Sequence, residues 1–306
     1  MSASLRPTGE IFVPIARLIA DPATLESRLD AATRDLSNAG LAVASAGMLD
    51  FCGDVLQLLI PEGDVQTICG VLDRHFAGAD MLVARQEITP PKLFVSDMDS
   101  TMIGQECIDE LADFAGLKGQ VAAITERAMQ GELDFESALR ERVGLLAGLD
   151  EGAIDRCLSE RIRPTPGARA LVATLKAQGC RCVLVTGGFH HFADAVADQL
   201  GFDRVVGNRL GVADGKLTGE LAGPISDSST KLETLQEERA KLGDNAAVMA
   251  AGDGANDIPM IEAADYGFAY RAKPKARDAA NGRIESEYLT AILKLLEVRE
   301  SDWVAG

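Results

Sequence analysis

The chain has 306 residues, 47% of them hydrophobic and 25% charged, enough for two domains or one large domain with an insertion. Its net charge of -17 argues against a general nucleic-acid binder, which needs a basic face, and against docking on an anionic membrane. The N-terminal MSASLRPTGEIFVP lacks a basic start and apolar core, and Lys176 and Arg181 interrupt the most promising apolar stretch. Neither a signal peptide nor a membrane span is expected, and the protein reads as cytoplasmic.

From the N-terminus, Ile11–Ile19 is strand-like. Asp21-Pro22 announces a helix with Leu25, Leu29, Ala32 and Leu36 on one face, closed by Gly40. Leu41–Ala46 and Val55–Ile60 predict two strands joined around Gly47 and Gly53. Val65–Phe76 predicts an amphipathic helix and Met81–Arg85 a strand. The order βαββαβ suggests a ferredoxin-like unit over 1–88, which carries no chemistry of its own.

Thr89-Pro90-Pro91 breaks the periodicity and predicts a linker. The apolar run Lys92–Ser96 ends in Asp97. A largely helical stretch from Cys107 to Leu158 follows, punctuated by Gly116, Gly131 and Gly148 and ended by Pro164 and Pro166. Helix Ala168–Gln178 leads into strand Arg181–Val185. Asp214-Gly215 marks a hairpin turn between Leu210–Val212 and Leu217–Leu221. Helix Lys231–Lys241 precedes strand Ala246–Ala250. Strands alternating with helices predict an α/β fold with a parallel sheet, and active residues at the carboxyl ends of its strands.

Three strand ends carry polar signatures. Asp97 and Asp99 stand two apart, so on extended backbone they face the same way. Thr186-Gly187-Gly188 reads as the opening of a helix whose free N–H groups can hold a phosphate, or equally as a plain tight turn. Gly252-Asp253-Gly254-Ala255-Asn256-Asp257 brings further carboxylates, and alone it could be a capping turn for a helix near Ile258-Pro259. Four carboxylates (Asp97, Asp99, Asp253, Asp257) beside a phosphate dianion would repel one another unless a hard divalent cation such as Mg²⁺ sat among them. Lys231 offers a fixed positive charge for a phosphoryl oxygen. No nucleophile triad competes, since His75, His190 and His191 are the only histidines and read as structural. The six scattered cysteines, including the C-x-C pair Cys180 and Cys182, read as small buried hydrophobes.

Asp97–Thr101, Thr186–Gly188, Lys231 and Gly252–Asp257 resemble, in order, the four motifs of the haloacid dehalogenase superfamily, over residues 92 to about 290. Thr186 stands where many members carry Ser, and Met98 where Phe is frequent between the aspartates. The segments Gly104–Glu110, Ala128–Gly131, Leu133–Glu136 and Leu139–Val143 are similar to the cap of phosphoserine phosphatases. The resemblance implies a Rossmann-like core over 89–306, with a helical cap inserted at about 104–165. It implies that Asp97 is the nucleophile that becomes phosphorylated and that Asp99 is the acid/base. Asp253, Asp97 and the backbone carbonyl of Asp99 would hold Mg²⁺, with Asp257 in support. Thr186, Gly187, Gly188, Lys231 and Asn256 would surround the phosphate. In the cap, Glu106 would meet the ammonium of the substrate and Arg142 its carboxylate, beside Met129 and Phe135. Phe135 and Arg142 lie seven apart, on one face if a helix runs through both. Without the resemblance, Glu106 and Arg142 would read as surface charges and Met129 and Phe135 as core.

The expected reaction is Mg²⁺-dependent hydrolysis of O-phospho-L-serine to serine and phosphate, the last step of serine biosynthesis. A phosphotransferase sharing the aspartyl-phosphate is the second enzymatic reading. The N-terminal unit also looks like ACT-type amino-acid-binding domains. It shows no specific ligand motif, so a plain interface role, as in a homodimer, is the reading preferred.

Overall fold

The computed structural model describes residues 13–129, 132–243 and 246–305, except for the side chains of Pro22 and Met129. Its first elements are β1 (Ile15–Ile19), α1 (Pro22–Asn38), β2 (Ser45–Leu49), β3 (Cys52–Leu59), α2 (Val65–His75) and β4 (Met81–Ala84). Asp21 caps α1 by accepting from the Ala23 N–H, and Pro22 supplies a first helical residue that needs no donor. Gly40, with φ 80°, turns the chain out of that helix. The second strand differs from expectation, running over Ser45–Leu49 instead of Leu41–Ala46. Leu41 is drawn back onto α1, its N–H donating to Leu36 O, so strand pairing begins only after it. Gly47 and Gly53 lie inside β2 and β3, and Asp50-Phe51 makes the turn. Of the expected first strand, Ile11 and Phe12 lie outside the described residues.

The chain continues through β5 (Leu93–Ser96) and four helices, α3 (Cys107–Phe114), α4 (Lys118–Met129), α5 (Phe135–Leu145) and α6 (Gly152–Glu160). Next come α7 (Ala168–Ala177), β6 (Arg181–Phe189), α8 (His190–Leu200), β7 (Arg204–Asn208), and the hairpin β8 (Leu210–Ala213) and β9 (Lys216–Leu221). The last part holds α9 (Ser228–Leu242), β10 (Val248–Gly252), α10 (Ile258–Ala263), β11 (Tyr266–Tyr270), α11 (Pro274–Ala279), β12 (Gly282–Ile284) and α12 (Ala291–Leu295).

One sheet runs through the molecule in the order β2-β3-β1-β4-β12-β11-β10-β5-β6-β7. The β12-to-β7 part is parallel, and β4 joins it by pairing antiparallel with β12, Met81 opposite Arg283 and Leu82 opposite Gly282. Alternation along the central strands feeds two cores. Leu93, Val95, Val183 and Val185 pack with Leu235 and Met260, while Phe94, Cys182 and Leu184 face the larger core on the other side. A separate cluster, including Leu18, Leu36, Leu58, Ile68 and Leu72, lies under α1 and α2.

β5 and β10 are neighbours, but the chain leaves β5 towards β6 on one side and returns to β10 on the other. That is a topological switch point, where a crevice opens beyond the strand ends. Asp97 and Asp253 each follow one of these two strands. The β8–β9 hairpin was legible as a hairpin, but its place was not. It packs on α5, with Leu217 exchanging backbone hydrogen bonds with Gly148 and Leu149.

Candidate active site

Asp97 is fixed by its backbone N–H, which donates to Ala251 O of β10 at 2.9 Å. Its Oδ1 accepts from the Met98 N–H at 2.8 Å and lies 2.8 Å from Lys231 Nζ. Lys231 sits in the first turn of α9, whose start is set by a reciprocal capping box between Asp227 and Thr230. Its ammonium is fully buried and also donates to Asp257 Oδ1 at 2.6 Å. Burial alone would lower the Lys231 pKa, but the two carboxylates outweigh it and raise it, so the charge stays.

Asp257 is braced on every side. Its Oδ2 accepts from the N–H groups of Asp253 (3.1 Å) and Gly254 (2.9 Å). A Cβ on Gly252 would meet its carboxylate carbon at 2.4 Å, so only glycine lets Asp257 approach the strand end this closely. Both oxygens of Asp257 thus accept hydrogen bonds from protein donors.

Asp99 Oδ1 accepts from the N–H of Cys107, the first residue of α3, at 3.2 Å. Helix α3 thus begins at the carboxyl group itself. Burial, then repulsion by Glu106, pushes the Asp99 pKa up to about 7. Burial and the charge of Asp257 likewise raise Asp97 well above the carboxylate range and Asp253 to about 6.

The Thr186-Gly187-Gly188 segment corrects the expectation made for it. These residues do not open a helix: β6 continues through them to Phe189, with a register shift between Val185 and Phe189, and α8 begins only at His190. The backbone is held from the side, because Asn208 Nδ2 donates to Gly187 O at 2.7 Å and Ser226 Oγ to Thr186 O at 3.0 Å. The Gly188 N–H turns back onto Thr186 Oγ1 at 2.9 Å. A Cβ on Gly188 would lie 2.9 Å from Asp99 Oδ2, so the two signatures touch through the missing side chain. Asn208 and Ser226 were not anticipated as supports. Nothing in their local sequence marks them, since they act on β6 from β7 and from the loop before α9.

A cavity of about 220 Å³ collects these groups. Its floor is Asp97, Asp99, Asp253, Asn256 and Thr186–Gly188, and its cap side is Glu106, Phe135 and Arg142, with Ile108, Leu139, Phe189 and Lys273 added. The sequence reading missed those last four. Lys231 and Asp257 lie behind the floor, and the Met129 side chain lies outside the described residues. Helix α5 does run through Phe135 and Arg142. Phe135 is 42% exposed and stands over Gly187, where a Cβ would lie 3.5 Å from its ring. Arg142 Nε donates to Ala138 O of its own helix at 3.3 Å. Burial lowers its pKa, opposed by Asp109 and Glu106. Glu106 accepts from Ser100 Oγ at 2.7 Å. None of the three histidines lines this cavity. His75 pairs with Asp35 and His190 with Asp194.

Oxygen atoms of Asp97, Asp253 and Asp257 lie within 4.8 Å of one another, an arrangement able to hold a metal ion. The donor set is all carboxylate, which suits a hard cation.

Residues 94–262 match the family model for haloacid dehalogenase-like hydrolases. The chain belongs to that family. It is 45% identical over 212 residues to a phosphoserine phosphatase of Albidiferax ferrireducens, covering 67% of this chain and 90% of that protein. A phosphoserine phosphatase of Saccharomyces cerevisiae is 38% identical over 87% of both chains. Among solved structures, a phosphoserine phosphatase carrying an analogue of its phospho-aspartyl intermediate superposes with a TM-score of 0.62. It is 40% identical and covers 67% of this chain and 99% of that one. No helix among the described residues is long and apolar enough to cross a membrane.

Proposed function

We propose that this protein is a Mg²⁺-dependent phosphoserine phosphatase that hydrolyses O-phospho-L-serine to serine and phosphate, completing serine biosynthesis. The observation that carries the reading is the pairing, in one small cavity, of the Asp97/Asp99/Asp253 floor with Glu106 and Arg142 on the cap side. The named relatives support the same substrate.

A carboxylate oxygen of Asp97 attacks phosphorus, and the bond from phosphorus to the seryl oxygen breaks. Asp99 donates its proton to that oxygen, a task suited to a carboxyl group held at about 7. Water then attacks the aspartyl-phosphate, and Asp99 takes a proton from it, which releases phosphate and restores Asp97. Asp97, Asp253 and the Asp99 carbonyl would hold Mg²⁺, which when bound neutralises phosphoryl oxygens. Lys231, Thr186, Asn256 and the N–H groups near Gly187 hold those oxygens in place. Arg142 takes the substrate carboxylate in a bidentate fork, Glu106 takes the ammonium, and Phe135 excludes water around them.

We further propose a division into residues 1–88 and 89–306, with the cap at about 104–165. A homodimer would form through the N-terminal unit, where β2 is the last strand of the sheet among the described residues. The six cysteines are free thiols, which supports a cytoplasmic location. Phosphate release across a panel of phosphomonoesters, with and without Mg²⁺, tests the activity. Phosphoserine should lead the panel and chelator should silence it; a flat panel or full activity in chelator would refute the reading.

A further inference from the structure

Among the described residues, Lys273 is the one cavity-lining cation that neither the expected motifs nor the mechanism above uses. Its Nζ lies 3.8 Å from Asp253 Oδ2, and 66% of its side chain is exposed. An exposed lysine near a carboxylate is ordinarily a surface contact worth little. The backbone that carries this one is built otherwise. Arg271, two residues earlier, adopts φ 41°, a left-handed conformation that side chains other than glycine seldom accept. Its N–H donates to Ile284 O at 2.7 Å. The Lys273 N–H then donates to the carbonyl of Asp253 at 2.9 Å, and Pro274 fixes the first residue of α11. Downstream, Arg277 ties α11 to Asp73 of α2 with two hydrogen bonds and to Glu285 with a third. A strained turn, a backbone bond to the metal-site loop and a clamped helix together point one ammonium at the mouth of the cavity. Strain of this kind persists where surrounding contacts over-determine it, and it collects at functional sites.

We infer that Lys273 is a specificity-determining residue that draws the phosphate group into the cavity and, by the same charge, holds down the metal affinity of Asp253. The inference rests on reading the site as a Mg²⁺-dependent phosphoryl-transfer centre. Both effects follow from one positive charge. It attracts an incoming dianion and repels a divalent cation seated on the carboxylate it faces. It also offsets repulsion among Asp253, Asp257 and Glu106 before the cation arrives. A residue that only stabilised the loop would weaken both ligands together.

Calorimetry on the full chain separates the two. Mg²⁺ is titrated into the metal-free protein at low ionic strength, then inorganic phosphate into the Mg²⁺-saturated protein. Lys273→Met should bind Mg²⁺ about two- to fivefold more tightly and phosphate more weakly by a similar factor, the scale of one exposed charge pair. Lys273→Arg should restore both values, and 1 M salt should flatten the differences. Unchanged affinity for either ligand in the Met variant, or a loss in both, overturns the inference while leaving the phosphatase reading intact. A wild-type protein that binds no Mg²⁺ sinks the metal assignment and this inference with it.

Discussion

Asp73 of α2 and Arg277 of α11 form a paired contact, Nη1 to Oδ2 at 2.8 Å and Nη2 to Oδ1 at 2.5 Å, 204 residues apart in the chain. Arg283 Nη1 reaches the same Asp73 carboxylate at 3.2 Å. Nearby, Asp80 accepts from the N–H groups of Glu285 and Ser286 and from Ser286 Oγ, and Arg17 Nη1 donates to Leu295 O. The N-terminal unit is therefore stitched to the last segment of the hydrolase core along the β4–β12 seam. Asp73→Ala should cost about 1.5–3 kcal/mol of stability, the scale of hydrogen bonds to charged groups. Urea denaturation reads this directly, and an unmoved midpoint would mark the pair as a surface contact.

Asp97→Asn should abolish turnover while the fold persists. An amide cannot displace the seryl oxygen, and Asn keeps the shape of the side chain. Removing the charge also relieves repulsion with Asp99 and Asp257, so the melting temperature of the metal-free protein should hold or rise. Steady-state activity in a purified variant, checked by mass spectrometry for deamidation, would remove Asp97 from the nucleophile's role.

Arg142 and Glu106 test the substrate. Truncating one partner of a desolvated charge pair costs about 2–5 kcal/mol, so Arg142→Ala should sharply lower kcat/KM for phosphoserine. p-Nitrophenyl phosphate, with neither charged group, should hardly notice the change. Phosphoethanolamine lacks the carboxylate and should be indifferent to Arg142→Ala but sensitive to Glu106→Ala. Equal losses on all three would place Arg142 in support of the cap instead.

The metal-free protein should lose stability as the pH rises. Asp99 and Asp253 hold their protons in the folded state up to about 7 and about 6, whereas in the unfolded chain they release them near 3.8. Between those values the folded state binds more protons than the unfolded state, so unfolding free energy falls with rising pH. The contribution is whole below the unfolded pKa and gone once the pH passes the folded values. Melting curves in chelator at pH 5, 6, 7 and 8 should show this decline, and Mg²⁺ should flatten it by standing in for the protons. A melting temperature that climbs over the same range in chelator would contradict it.

The sequence by itself determined most of the elements and the residues that gather on the cavity floor. Buried runs such as Leu93–Ser96 and polar residues just beyond strand ends are local facts, visible because a strand's period and a turn's glycines leave a mark on neighbouring residues. The βαββαβ order, the hairpin turn at Asp214-Gly215 and the motif residues Asp97, Asp99, Lys231, Asp253 and Asp257 were legible for that reason. The true start of β2 was not, because the Leu41 N–H bond to Leu36 O outweighed its apolar character.

Only the tertiary structure decided what meets across chain distance. Thr186–Gly188 read equally as a helix opening or a plain tight turn, but pairing with β7 on either side, at Val185 and at Phe189, and the grip of Asn208 and Ser226 keep it within the strand. Lys273 carries no signature in the sequence, and it meets Asp253 across the turn at Arg271, where φ is 41°. Thr89-Pro90-Pro91 read as a break between units. In space β4 and β5 belong to one sheet, because β12 presents an edge that β4 pairs. Backbone donors on a sheet edge accept any strand of suitable register. Which strand arrives is settled by packing, not by the residues on either side of a linker.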